Sequence, residues 1–201
     1  MRHSICLLAL LALVASPLAG QHAGQFEVGA FGAYTHYDAA FALPQKAGGG
    51  VRIGYLIADM VGVEGDAIFM PEYTVTPASG TPTTLQPLIA SASLVISPLH
   101  ASRLSFYVLG GYTVLDFGNR APYRFTDNAG HGGAGIRLFL SERIALRVEG
   151  RAIYTPSTQA TFGPSTATHL VGSVGLSVFH LGALPPAAPP PPTVLAQKVV
   201  K

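Results

Sequence analysis

The chain is poor in cysteine, in charge and in long apolar runs. Its one cysteine is Cys6, inside the first 20 residues, which read as a removable leader. A mature chain without cysteine excludes thiol catalysis, disulfides and thiolate metal sites. Charged residues make up only 11% of the 201 residues, against 49% hydrophobic ones, too apolar for an ordinary water-soluble domain. The net charge is +2 and the arginines are scattered rather than clustered, so no nucleic-acid partner is expected. After residue 20 no stretch approaches the roughly 18 consecutive apolar residues of a spanning helix. High apolarity without such a helix, together with 23 glycines, points to membrane-spanning strands.

The stretch Gly130 to Tyr154 carries the pattern most clearly. Divided at Ser141-Glu142, it contains two strands of strict alternation. Gly132, Ala134, Ile136, Leu138 and Leu140 share one face of the first, with Gly133, Gly135, Arg137 and Phe139 opposite. In the second, Ile144, Leu146, Val148, Gly150, Ala152 and Tyr154 oppose Ala145, Arg147, Glu149, Arg151 and Ile153. One face is apolar and the other holds the charges. A soluble sheet would turn the charges to water; a small membrane barrel would turn the apolar face to lipid and the charges inward.

Six further strands follow the same alternation: Phe26 to about His36, Gly48 to Ile57, Met60 to Phe69, Leu85 to Ile96, Arg103 to Val114, and Thr168 to Leu181. Tight turns at Ala58-Asp59, Ser97-Pro98 and Ser141-Glu142 alternate with long loops at 37–47, 70–84, 115–130 and 155–167. Such asymmetry is that of an outer-membrane barrel, with short periplasmic turns and long extracellular loops. The expected fold is all-β: an eight-stranded antiparallel up-and-down transmembrane β-barrel over residues 25–181. A soluble eight-stranded barrel would be apolar inside, whereas here the charges share a face with glycines that suit a crowded lumen.

Two side-chain patterns agree with this arrangement. Tyr34, Phe69, Tyr112 and Tyr154 fall outward near the extracellular end, and Phe26, Tyr55 and Phe106 outward near the periplasmic end, as two aromatic girdles would. Arg52, Glu64, Asp66, Arg137, Arg147, Glu149 and Arg151 fall inward. Equal distance from the Ala58 turn sets Arg52 opposite Glu64, and the Ser141-Glu142 turn sets Arg137 opposite Arg147 with Glu149 diagonal. Two facing arginines repel, and buried charges are costly unless paired, so a connected mid-barrel network is expected, with Glu149, Glu64 or Asp66 supplying the acid.

The stretches GGGVRIGYLIADMVGVEGDAIF, RLSFYVLGGYTV, GHGGAGIRLFLSERIALRVEGRAIY and HLVGSVGLSVF resemble the outer membrane β-barrel family whose best-known member is the OmpA transmembrane domain. The resemblance covers residues 25 to 181 and is specific for architecture, not for an activity. It implies internal salt bridges at Arg52, Glu64, Arg137, Arg147 and Glu149, and location in the outer membrane of a Gram-negative bacterium. The ending SVGLSVFHL resembles the C-terminal insertion signal read by the barrel assembly machinery, with Gly175 and Phe179; Val178 and His180 stand where outward aromatics are expected.

Both termini read as appendages. Arg2 and His3, the apolar run Leu7 to Val14, and Ser16 to Gly20 have the order of a secretory signal over residues 1–20. Cleavage is expected after Gly20, with Ala19 and Ala23 as alternatives. Residues 182–201 form a Pro-rich periplasmic linker or tail, Pro185, Pro186 and Pro189 to Pro192 setting a polyproline II spacer. In OmpA-like proteins such a hinge leads to a peptidoglycan-binding domain. Only Thr193 to Lys201 follow here, too few to fold; the expectation is either a truncated chain or a free periplasmic stub able to make a periplasmic contact, and no peptidoglycan binding is assigned.

No catalytic, cofactor or metal residue is assigned. Barrel enzymes of this size need a serine with a histidine base. His36, His131 and His169 fall near the extracellular rim, with Ser165 and Thr168 close to His169. Rim histidines in solvated loops account for them, and the strands around Gly130 to Tyr154 carry no matching Ser-His pair. The expected role is structural or porin-like, as a small-solute pore; a surface interaction protein working through its loops, or a lipid A-modifying enzyme, are the alternatives. The expected partners are outer-membrane lipid and, during insertion, the assembly machinery.

Overall fold

The computed structural model describes residues 21–76, 80–101, 103–160 and 165–180. The leader at 1–20, with Cys6, and the Pro-rich tail at 182–201 lie outside the described residues. The strands are β1 (Phe26–His36), β2 (Lys46–Ala58), β3 (Val61–Phe69), β4 (Tyr73–Val75), β5 (Thr83–Leu85), β6 (Leu88–Ala101), β7 (Leu104–Asp116), β8 (Thr126–Phe139), β9 (Ile144–Thr155) and β10 (Ala167–His180).

Eight of them close a barrel in the order β1-β10-β9-β8-β7-β6-β3-β2, and β4 and β5 form a separate two-stranded ribbon. Closure comes from the antiparallel pairing of β1 with β10, running from Phe26 opposite His180 to His36 opposite Leu170. A closed sheet satisfies every ladder donor and acceptor, which hydrocarbon demands. Alternation sorts the side chains: Ile53 is 61% exposed on the outside while inward Glu64 is 4% exposed. That is the inverse of a soluble barrel. Tyr34, Phe69, Tyr112 and Tyr154 are half-exposed on the outer wall at the long-loop end, and Phe26, Tyr55 and Phe106 stand outward at the other.

Several expected boundaries are corrected by the structure. Arg52 stands opposite Asp66, not Glu64, and Glu64 stands opposite Gly54. An irregularity between Leu56 and Ala58 shifts the register, so counting symmetrically from the turn fails. The chain does not turn at Ser97-Pro98: β6 continues to Ala101 past a register shift between Ile96 and Leu99. Pro98 has no N–H for a ladder, and a bulge is where a strand tolerates it. Leu85, expected to begin a barrel strand, ends β5 instead. The expected loop 115–130 shrinks to 117–125 because β7 and β8 run on beyond the girdle level. The expected loop 70–84 contains the β4–β5 ribbon, Tyr73 opposite Leu85 and Val75 opposite Thr83.

Candidate functional site: the barrel lumen and its cap

The lumen is filled level by level. At mid-barrel and toward the short-turn end lie four arginines and four acids, Arg52, Arg137, Arg147, Arg151, Glu27, Glu64, Asp66 and Glu149, all buried. Their formal charges cancel. Arg147 is the hub: one guanidinium nitrogen bonds Glu27 at 3.0 Å and also reaches Glu64. The other donates to Glu64 at 3.1 Å and to Glu149 at 2.7 Å, and Nε donates to the Tyr107 hydroxyl at 2.6 Å. Arg151 bridges Glu149 at 2.7 Å and Asp66 at 3.0 Å. Arg52 is held more loosely, 3.5 Å from Glu149 and 3.8 Å from Glu64, with its guanidinium carbon 4.4 Å from the centre of the Phe31 ring.

The facing arginines stand as the turn implies, Arg137 opposite Arg147. The acid that reconciles them is one the sequence reading left out. Glu27, from β1, takes Arg137 on one carboxylate oxygen at 3.1 Å and Arg147 on the other at 3.0 Å, and accepts from Ser177 at 2.6 Å. Its inward phase between Phe26 and Val28 is readable in the alternation. Its partners are not, because β1 meets β8 and β9 only across the closed lumen. Tyr107 was likewise missed. Its hydroxyl donates to Glu149 at 2.7 Å, and both the Arg137 and Arg147 guanidiniums lie over its ring, at 4.6 and 4.4 Å, an attraction to the negative ring face.

Above this level come buried polar side chains, Ser91, Thr113 and His131 among them, and then an apolar cluster at the mouth. Tyr37, Phe41 and Leu43 from the β1–β2 loop, Phe117, Tyr123 and Phe125 from the β7–β8 connection, and Met70 pack onto inward Ile68, Ile89, Leu115 and Ile153. Phe41 stacks on Phe117 at 5.2 Å and on Phe125 at 5.9 Å. The loops therefore fold into the mouth as a cap. Asp38 fastens it, one carboxylate oxygen accepting from the Thr168 amide at 2.8 Å and the other from Ala40 at 3.0 Å. The Asp38 amide in turn donates to Nδ1 of His169 at 3.1 Å.

The Thr168 and Ala40 amides hold the Asp38 carboxyl below its ordinary range. A depressed folded value means the bonds stabilise the cap fully above the unfolded pKa and are lost as pH falls through the folded one. Asp38→Ala is therefore expected to speed hydrogen exchange in residues 37–43 at neutral pH, and the difference from the unchanged chain is expected to vanish in strong acid.

The histidines are not in solvated loops, contrary to expectation. His169 is fully buried against Phe41 and Tyr37. His131 lies inside the barrel, between Ser93 at 2.9 Å and Thr113 at 2.7 Å. Of His36, His131 and His169, His36 alone stands outward. The Ser93–His131 contact has no carboxylate hydrogen-bonded to the ring's second nitrogen, which faces Thr113. Among the described residues no group of three or more His, Cys, Asp or Glu side chains is placed to hold a metal. Gly175 and Phe179 have structural neighbours. A Cβ on Gly175 would collide with Phe31 and the Ala30 carbonyl, and Phe179 packs inward on Phe139 at 5.3 Å, beside Leu56 and Ala145.

A family model of the outer membrane protein beta-barrel domain matches residues 5–176. No curated protein matches the chain. Solved structures do. The N-terminal β-barrel domain of Pseudomonas aeruginosa OprF is similar with a TM-score of 0.56 at 16% identity, over 80% of this chain and 100% of that one. The outer membrane protein OprG of Pseudomonas aeruginosa gives 0.58 at 14% identity, over 81% and 99%. The attachment invasion locus protein Ail of Yersinia pestis gives 0.53 at 11% identity, over 79% and 99%. At these identities the likeness is one of fold.

Proposed function

The chain belongs to the outer membrane protein beta-barrel domain family, and on that premise we propose that it serves the cell outer membrane as a structural, non-conducting barrel. The observation that carries this reading is the double closure of the lumen. A neutral network of paired charges fills one level and an aromatic cap the mouth. The cavity beside Glu27, Glu64 and Arg137 measures about 10 Å³, room for a single water. Every step of an ion through that region would have to displace a buried, hydrogen-bonded pair.

The outward aromatics would seat the barrel at the two interfaces, with lipid against Val, Leu and Ile between them. Gly175 and Phe179 on β10 would be read during insertion by the assembly machinery, and the Pro-rich tail would extend into the periplasm. No catalytic step is proposed. The refolded protein in a planar lipid bilayer is expected to give no steady conductance in salt solution; reproducible single-channel steps would overturn the reading in favour of a small-solute pore.

One feature supports a second reading, that of a surface interaction protein. A cleft of about 300 Å³ opens between the β4–β5 ribbon and the β7–β8 connection, with Glu72, Gln86, Asp116, Asn119 and Arg120 on its walls. Loops carried on a rigid scaffold are where binding groups collect. Binding of the barrel to host or bacterial surface glycans that is lost in an Asp116→Ala, Arg120→Ala variant would support this reading.

A further inference from the structure

The periplasmic mouth of the barrel is closed by the first described residue. Gln21 is only 4% exposed. Its side-chain Oε1 accepts from the buried Ser105 hydroxyl at 2.6 Å, and it shares the small cavity with Glu27, Ser97 and Arg137. The segment behind it is tied to the barrel rim. Gly24 donates to the Leu56 carbonyl at 2.8 Å, the Leu56 amide donates to Gln25 at 2.9 Å, and Ala23 donates to the Asp59 carboxylate at 2.8 Å. Residues 21–25 are therefore a built part of the mouth. Removal of the leader after Ala23 would discard Gln21 and the Ala23 bond to Asp59.

We propose that the leader is removed after Gly20 and that Gln21, as the new N-terminus, is a modification site that cyclises to pyroglutamate and seats as a neutral stopper in the mouth. Three observations support the chemistry. First, Gln is the residue whose γ-amide carbon lies one five-membered ring away from its own α-nitrogen. Second, the charges of the network next to Gln21 already cancel, four arginines against four carboxylates. An α-ammonium buried at Gln21 beside Arg137 would be an unmatched cation, costly to desolvate. Third, the anchoring atom survives the reaction.

In the cyclisation the neutral α-amine attacks Cδ, the Cδ–Nε2 bond breaks, and the amide nitrogen leaves as ammonia. The ring keeps Oε1 as its carbonyl, still an acceptor for Ser105. The product is uncharged, and the reaction needs no oxidant or co-reactant.

The inference rests on the leader reading, and one experiment separates the two. The full chain is expressed with its own leader, and the barrel is purified from outer membranes in detergent at neutral pH. Its N-terminal peptide is then weighed by mass spectrometry. An isotope-labelled synthetic peptide with a free N-terminal Gln is carried through the same work-up. The expected result is a peptide starting at residue 21, lighter than the Gln form by one ammonia, while the labelled peptide stays largely open. A peptide starting at another residue overturns the cleavage site; one starting at an uncyclised Gln21 overturns the modification alone. A pyroglutamyl peptidase is expected to release the ring from the unfolded protein and not from the folded barrel. Release from the folded barrel at an equal rate would overturn the seating.

Discussion

Arg147→Ala is expected to lower the stability of the barrel by about 3–5 kcal/mol, the cost of breaking a buried ion pair by removing one partner. The side chain touches three carboxylates, Glu27, Glu64 and Glu149, and the Tyr107 hydroxyl. Its loss leaves a net negative lumen in which Glu27 keeps Arg137 and Glu64 keeps only longer contacts, 3.8 Å to Arg52 and 4.0 Å to Arg137. Glu64→Ala is expected to cost less, because Arg147 then retains Glu27 and Glu149. The measurement is urea unfolding of the protein refolded into lipid vesicles. Circular dichroism is the probe, since the chain has no Trp. Equal midpoints for Arg147→Ala and the unchanged chain would show that the network does not hold the barrel together. Substituting the whole set by well-packed apolar residues is a different experiment, in which stability can even rise.

Phe41→Ala is expected to cost the cap about 3 kcal/mol, as truncation of a buried phenylalanine does. Phe41 is 2% exposed and meets Phe117, Phe125 and His169. Its carbonyl also accepts from the Tyr123 hydroxyl at 3.0 Å. The loss falls on residues 37–45 rather than on the spanning strands, so the readout is local. Protease added to intact cells is expected to cut within this loop in the variant and to spare it in the unchanged chain. Conductance is expected to stay absent in the variant, because the charge network below is untouched and distant sites act independently. Conductance appearing with Phe41→Ala alone would show that the cap is the sole seal.

Much of this molecule was legible in the alternation. A period of two leaves each strand only two phases, and glycine with charge on one phase against Val, Leu and Ile on the other picks the inside. The inward placement of Arg52, Glu64, Asp66, Arg137, Arg147, Glu149 and Arg151 follows from that rule alone. Register was less legible. The symmetric count that placed Arg52 opposite Glu64 assumed a regular turn, and the irregularity between Leu56 and Ala58 moved Asp66 into that position.

The loops were least legible. Tyr37, Phe41, Phe117 and Phe125 sit in loop segments broken by Pro44 and Pro122, where periodicity carries no signal, and nothing local marks them as a core. Glu27 marks the limit of local pattern. Its direction is written in β1, but its meeting with Arg137 and Arg147 joins residues more than a hundred positions apart.

The sequence by itself therefore determined the class of solvent on each face of the wall, the number of spanning strands and the order of long and short connections. These are consequences of local alternation and turn chemistry, and lipid enforces them on every strand separately. Only the tertiary structure decided which charge meets which, and which side chains fill the lumen. Closure of β1 on β10 brings Glu27 to the arginines of the opposite wall, and in the narrow mouth the loop aromatics pack on one another and on inward Ile68, Ile89, Leu115 and Ile153, which shields them from water.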